Sequence, residues 1–300
     1  MLSDLFPWIK GRNLAVAKNA LKTALEAGDF VAAPGIYDMI AATVANKVGF
    51  DFVYGSGYWL TASAYGIPDA GIVSVTQLLD RVAQLCQTSE AHVIADADTG
   101  FGGLLNVAHT VRGYERAGVC AIQLEDQEFP KKCGHTPGKR VTAAADMVDK
   151  IKVAVDTRED MLVIARTDAR QPEGFDAAIE RALAYAQAGA DILFVEALET
   201  EEEMARACAA INVPMLANMA NGGISPILPT ARLVELGYAM AIFPAMTSLA
   251  AAQAVETSLR HLKNSGSSFA PGAPHFDFKE FCELIGFRDV WEFEQKWAKK

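Results

Sequence analysis

Apolar residues along this chain fall in short bursts rather than in one long run. The bursts are FVAAPG (30–35), FDFVYGSG (50–57), HVIADADTG (92–100), VCAIQLED (119–126), MLVIARTD (161–168), ADILFVEA (190–197), VPMLANM (213–219) and YAMAIFPA (238–245). Each is rich in Val, Ile, Phe or Ala and is bounded by Gly, Pro or polar residues, as strands buried on both faces of a parallel sheet are. Between them lie amphipathic stretches such as 104–117, 143–155, 175–188 and 201–210, which predict helices. Gly49, Gly118, Gly189 and Gly237 each stand just ahead of a strand, where a helix C-terminus turns left-handed back into the sheet. Strand–helix units repeated over 30–263 predict an α/β fold, a closed (β/α)8 TIM-type barrel. The competitor is an open doubly wound sheet. Its glycine-rich turn after the first strand is missing, because Pro34-Gly35-Ile36-Tyr37 stands there.

The flanks add a helix before the barrel (residues 1–29, helical over 18–27) and a Ser/Gly/Pro linker at 264–277. The aromatic, amphipathic tail beyond it is expected to pack on a partner subunit, giving a barrel unit over 1–263 and a tail unit over 264–300. The 300 residues are 51% hydrophobic, enough for a large core. A net charge of -10 argues against a nucleic-acid partner. The five cysteines have no metal-site or redox spacing and read as free thiols of a reducing cytoplasm. The first residues lack a basic-then-apolar leader, and no apolar run approaches the ~20 residues of a membrane span.

In such a barrel, chemistry gathers at the C-terminal strand ends. Those ends here carry Tyr54 and Ser56, Asp96 and Asp98, Gln123, Glu125 and Asp126, Arg166 and Asp168, Glu196, and Asn218. Helix capping accounts for a few of these, Asp168 among them, but not for an interior Arg or Glu on several strands, since buried charge is costly unless paired or metal-bound. Asp96 and Asp98 are two apart and would share one face of a strand. With Glu125 on the next strand and Asp69 in a loop they make an all-oxygen cluster suited to Mg²⁺ or Mn²⁺. Arg166 and Asn218 point to an anionic substrate, because a guanidinium fork reads carboxylates bidentately. The Gly222-Gly223 loop offers backbone N–H groups for a second acid group, or is an ordinary tight turn.

Lys131-Lys132-Cys133-Gly134-His135 is the most chemically suggestive stretch. Cationic neighbours stabilise a thiolate, so Cys133 is expected to titrate nearer neutrality than a free thiol and to pass protons in either direction. The same cations would hold a carboxylate. The segment 127–141 is long for a strand–helix connection and contains Gly134, Pro137 and Gly138, as a closing lid would. No strand ends in lysine, against a Schiff-base or pyridoxal enzyme, and no dinucleotide or P-loop fingerprint is present.

With YGSG (54–57), DADTGFG (96–102), LEDQ (124–127), KKCGH (131–135), ARTDA (165–169), Glu196 and Asn218 in this order, the chain resembles the isocitrate lyase / phosphoenolpyruvate mutase superfamily. KKCGH after LEDQ and the short length resemble its short lyase branch, that of 2-methylisocitrate and 2,3-dimethylmalate lyases. The resemblance implies a tetramer with swapped C-terminal helices and Mg²⁺ held directly by Asp96, with Asp69, Asp98 and Glu125 reaching it through water. It implies Cys133 as general acid on a mobile loop. Tyr54, Ser56, Gly57, Gly134, His135, Arg166, Glu196 and Asn218 would contact the substrate. Gln123 stands where methylisocitrate lyases carry His, and Asn221 where the family often has Glu. Together with the bulky Tyr58-Trp59, these departures leave a dimethylmalate-like or other substituted malate as good a fit as methylisocitrate.

The expected reaction is retro-Claisen cleavage of a 2-hydroxy di- or tricarboxylate to a 2-oxo acid and a carboxylate. Tyr54 or a metal-linked carboxylate would be the base. Lys132, His135 and Arg166 would offset growing negative charge, and Cys133 would protonate the new carbanion. Oxaloacetate hydrolase or decarboxylase activity, or a phosphonate-type mutase, is the alternative on this scaffold; a catalytically silent carboxylate-binding protein is the rival of another class.

Overall fold

The computed structural model describes residues 19–134, 136 and 138–298. The expected strands all form: β1 (Val31–Ile36), β2 (Phe52–Gly55), β3 (His92–Asp96), β4 (Ala121–Glu125), β5 (Leu162–Thr167), β6 (Ile192–Val195), β7 (Leu216–Asn218) and β8 (Met240–Phe243). They pair in parallel in the order β6-β5-β4-β3-β2-β1-β8-β7. A single parallel bridge, Leu193 to Met215, draws β6 and β7 together, so the sheet is a nearly closed barrel. The helices are α1 (Ala20–Ala27), α2 (Met39–Val48), α3 (Gly57–Tyr65), α4 (Val75–Thr88), α5 (Leu104–Ala117), α6 (Ala144–Thr157), α7 (Phe175–Gln187), α8 (Glu201–Ala210), α9 (Thr230–Leu236), α10 (Met246–Ser265), α11 (Phe278–Leu284) and α12 (Phe287–Trp297).

Strand alternation splits the core in two. One set of side chains, including Val53, Val93, Ala95, Ile122, Val163 and Leu193, points outward beneath the helices. The other, including Val31, Ala33, Ile94, Ile164, Phe194, Met240 and Ile242, fills the barrel interior. The four expected helix-end glycines all take positive φ: Gly49 at 86°, Gly118 at 97°, Gly189 at 100° and Gly237 at 98°. β1 and β8 approach so closely that a Cβ on Gly35 would meet the Pro244 backbone.

Helix α1, the stretch expected over 18–27, closes the bottom of the barrel, while the rest of the expected flank, residues 1–18, lies outside the described residues. Asn19 caps α1 through its side-chain oxygen, and its amide donates to Cys120 O at 2.7 Å and Asp160 O at 2.9 Å. These bonds set Leu21, fully buried, into the interior core. At the other end of the chain, α11 leans on α2 through Lys47, whose Nζ lies 3.4 Å from Glu280 and 4.8 Å from the Phe276 ring centre. No side chain of α11 or α12 is buried. Among the described residues no helix is long and apolar enough to cross a membrane.

Removing the Leu21 plug leaves a void that the strand-lined interior cannot collapse around. Leu21→Ala is therefore expected to cost about 2–5 kcal/mol, read as a lower midpoint in urea unfolding; an unchanged midpoint would mean that α1 does not seal the barrel.

Candidate active site

The carboxyl ends of the strands open into a cavity of about 380 Å³. Its lining brings together Tyr54, Ser56, Asp69, Asp96, Glu125, Lys132, Cys133, Gly134, Arg166, Glu196 and Asn218, all singled out in the sequence. Asp98 and Gly57 stand just behind this wall: a Cβ on Gly57 would lie 3.0 Å from Asp96 Oδ2 and 3.3 Å from Asp98 Oδ1. Gly57 N–H donates to Asp96 Oδ2 at 3.2 Å, a close approach that a side chain would crowd. His135, expected in the same site, lies outside the described residues, as does Pro137.

Asp98 reaches the cluster by a different route from the one expected. Strand β3 ends at Asp96, and Asp98 takes a left-handed φ of 50° in the following turn, so strand alternation does not bring the two together. Asp96 Oδ1 accepts from the Asp98 N–H at 3.0 Å, which stabilises that turn.

Lys131 departs further from expectation. Rather than standing beside Cys133 to receive a carboxylate, it is buried among the acids, with Nζ 2.5 Å from Asp69 Oδ2 and 2.6 Å from Asp98 Oδ1. Burial alone would lower its pKa, but Asp98, Glu125, Asp96 and Asp69 outweigh that and hold it well above the usual lysine value. Burial pushes Asp98 up to about 7 despite Lys131. Burial likewise lifts Glu125 well above the carboxylate range, only partly offset by Arg166 and Lys131. Glu125 Oε1 is buried and makes no hydrogen bond.

Among the described residues no three His, Cys, Asp or Glu side chains are drawn into a ready metal cage, and Lys131 provides the cation between Asp69 and Asp98. The donor chemistry still suits a hard divalent ion. Asp69, Asp96, Asp98 and Glu125 offer only oxygen, and an unpaired buried carboxylate oxygen is costly without a cation.

Arg166 is likewise more engaged than its sequence reading supposed. Its Nε donates to Asp168 Oδ2 at 2.8 Å and its Nη2 to Asp168 Oδ1 at 3.0 Å, so the bidentate fork belongs to Asp168. The remaining edge faces Glu125 at 3.5 Å and Glu196 at 3.3 Å. Asp168 is not a helix cap: α7 begins after Gly174, and the Asp168 side chain is fully buried against Arg166 and Lys139. Burial would raise its pKa, but these two cations take it down to about 2. Asp126 is structural, its Oδ1 accepting from Asp168 N at 2.9 Å and its Oδ2 from Thr167 and Tyr185 hydroxyls at 2.7 Å each.

Tyr54 donates from its hydroxyl to Gln123 Oε1 at 3.0 Å, and Gln123 Nε2 lies 3.4 Å from Asp96 Oδ1. Burial first, and then Asp96, hold the Tyr54 phenol well above its ordinary value. It is a hydrogen-bond donor here, which weighs against its expected use as a base. Glu196 accepts from Asn218 Nδ2 at 3.0 Å, joining β6 to β7 across the barrel seam. The Gly222-Gly223 turn lines the cavity, but Gly223 N–H donates to Ala220 O at 2.9 Å and is not free to take an acid group.

The described part of the segment over 127–141 is braced by its own backbone and lines the cavity. Glu128 N–H donates to Arg140 O at 2.9 Å, and Gln127, the last residue of LEDQ, brackets Lys132 with bonds of 2.8 and 3.0 Å. The exposed Lys132 donates from Nζ to Gly138 O at 3.2 Å and also lines the cavity. Cys133 is half-buried on the cavity wall. Gly134 rests so closely on Arg166 and Glu196 that any Cβ would collide with both. A flexible arginine could retreat from such a clash, but this one is pinned by Asp168. Sequence reading passed over Gln127, Lys131 as a partner of the acids, and Lys139. Gln127 and Lys131 had a signal, their places in the LEDQ and KKCGH motifs; Lys139 had none.

A cavity at the carboxyl ends of a parallel barrel, lined by buried acids, Arg166 and a thiol, marks the candidate active site of an α/β-barrel enzyme. The phosphoenolpyruvate phosphomutase family model matches residues 21–263, and the chain belongs to that family. It is 44% identical to 2,3-dimethylmalate lyase of Eubacterium barkeri over 280 residues, 93% of this chain and 97% of that protein. Among solved structures it is similar to oxaloacetate acetylhydrolase bound to 3,3-difluorooxalacetate, with TM-score 0.88, 33% identity and coverage of 95% and 97% of the two chains. It is also similar to phosphonopyruvate hydrolase in complex with oxalate and Mg²⁺, with TM-score 0.84, 30% identity and coverage of 95% and 100%.

Asp168 has a folded-state pKa of about 2 against an ordinary 3.8. Its depressed value means that ionised Asp168 stabilises the fold above about pH 4, a contribution of roughly 2 kcal/mol that is lost as pH falls through about 2. Asp168→Asn should therefore unfold at lower urea than the parent at pH 7, with the gap shrinking on acidification towards pH 2; a gap independent of pH would deny the carboxylate this role.

Proposed function

We propose that this chain is a carbon–carbon lyase that cleaves a substituted malate, or a related 2-hydroxy di- or tricarboxylate, into a 2-oxo acid and a carboxylate. The observation that carries this reading is the sharing of one cavity by the Cys133 thiol, the acidic cluster and Arg166. Bound at Asp96 with Asp69, Asp98 and Glu125, Mg²⁺ or Mn²⁺ would supply Lewis acidity that lowers the pKa of the substrate hydroxyl.

The protein's own groups handle the protons and charges. Glu125, a carboxylate of the acidic cluster with one oxygen that makes no hydrogen bond, is the group that takes the hydroxyl proton and returns it to solvent when product leaves. The oxygen's electrons close the carbonyl of the 2-oxo acid as the C–C bond breaks, and the bonding pair moves onto the carbon next to the departing carboxylate. Arg166, fixed beforehand by Asp168, offsets the charge that develops there. Cys133 gives its Sγ proton to that carbon and recovers one from solvent after product leaves. Ser56, Gly134, Glu196 and Asn218 surround the substrate, Gly57 supports Asp96 from behind, and Tyr54 donates rather than accepts. The lining also includes Tyr58, Trp59, Ile242, Pro244 and Leu249, apolar surface that favours an alkyl-substituted malate over a third carboxylate.

The likeness to oxaloacetate acetylhydrolase favours a second reading, in which water splits oxaloacetate in the same cavity. Release of 2-oxo acid from a panel of substituted malates, beside acetate release from oxaloacetate, both with Mg²⁺, separates the two. Cys133→Ser is expected to slow cleavage of the accepted malate by at least ~10² while Mg²⁺ affinity persists; an unchanged rate would take Cys133 out of the chemistry.

The exposure of Phe278, Trp291 and Trp297 supports a homotetramer with C-terminal helices exchanged between subunits. Multi-angle light scattering is expected to give four chains; a monomer would refute the exchange.

A further inference from the structure

Lys139 takes no part in the chemistry described above, yet it is one of the most deeply buried cations of the chain, its side chain 1% exposed. A buried ammonium needs strong partners. Its Nζ has two: the Gly134 carbonyl at 2.5 Å and Asp168 Oδ1 at 3.0 Å. The first belongs to the residue after Cys133. The second belongs to the carboxylate that grips the Arg166 fork. One ammonium thus ties the thiol-bearing segment to the residue that orients the arginine.

Compensating the Asp168 charge accounts for only one of these two contacts. Arg166 already meets both oxygens of Asp168, and Asp126 accepts from the Asp168 backbone. What Lys139 adds is reach across to the Gly134 carbonyl. Gly134 meets Arg166 from its other side as well, with no room for a Cβ between them. The segment is therefore seated on the barrel end by two contacts, one steric and one electrostatic, that converge on the Asp168–Arg166 pair.

We propose that Lys139 is a positioning residue, which holds the Cys133–Gly134 backbone in register with Arg166 so that the thiol and the guanidinium act on one bound substrate. It touches no reacting atom. Its effect passes through Gly134 on one side and Asp168 on the other. The proposal rests on the lyase reading for its kinetic consequence and on geometry alone for its structural one.

The test uses the full chain with Lys139→Met and Lys139→Gln. In the absence of substrate, the rate at which iodoacetamide alkylates Cys133, followed by mass spectrometry of its peptide, should rise at least ~10-fold, because local opening of the segment becomes easier. With Mg²⁺ and the accepted malate, kcat should fall by ~10² with KM changed less than ~3-fold, the signature of a misplaced group rather than a lost binding contact. A folded variant with parent-like alkylation would overturn the proposal. So would loss of the cooperative unfolding transition in both variants, which would make Lys139 a folding residue. If the parent cleaves no malate of the panel while alkylation still responds, the lyase reading fails and the positioning role stands.

Discussion

Neutralising buried acid is the constraint on which this site depends. Parallel strands deliver their carboxyl ends to one side of the barrel, and here β3, β4, β5 and β6 bring Asp96, Glu125, Asp168 and Glu196 there, all buried. Water is largely excluded there, so the carboxylates cannot rely on hydration. Lys131, Lys139 and Arg166 compensate them, two supplied by the segment over 127–141 and one by β5. That segment is thus part of the electrostatic structure of the barrel end as well as of the cavity lining.

This arrangement explains features that seem at odds with a binding site. Arg166 is nearly saturated by protein carboxylates before any substrate arrives. A guanidinium held in this way is preorganised and loses little freedom when charge develops beside it. Lys131 sits where a divalent ion would be expected to draw the acids together. Its ammonium supplies the positive charge between Asp69 and Asp98, with Glu125 adding to the field that keeps it charged. Beside these charged groups, Ile242, Pro244 and Leu249 give the cavity lining apolar surface.

The strand pattern, the helix-ending glycines and the order of the motifs were legible in the chain because they rest on local rules. Buried parallel strands are apolar throughout, and glycine tolerates positive φ where other residues do not. The strand-end polar residues were legible for the same reason, since a charge inside an apolar run must have a purpose. Their partners were not. Asp98 looked like a strand neighbour of Asp96 but is placed by a left-handed turn, and Asp168 looked like a cap but is the counter-ion of Arg166.

The sequence by itself determined the barrel, the family and the identity of most cavity residues, because periodicity and motif order need no knowledge of contacts. Only the tertiary structure decided which cation meets which acid. Lys131 and Lys139 are eight positions apart on a loop without periodicity, and their long side chains could serve many carboxylates. Their choice follows from how that loop folds back on the barrel end, where proximity in space replaces proximity in the chain.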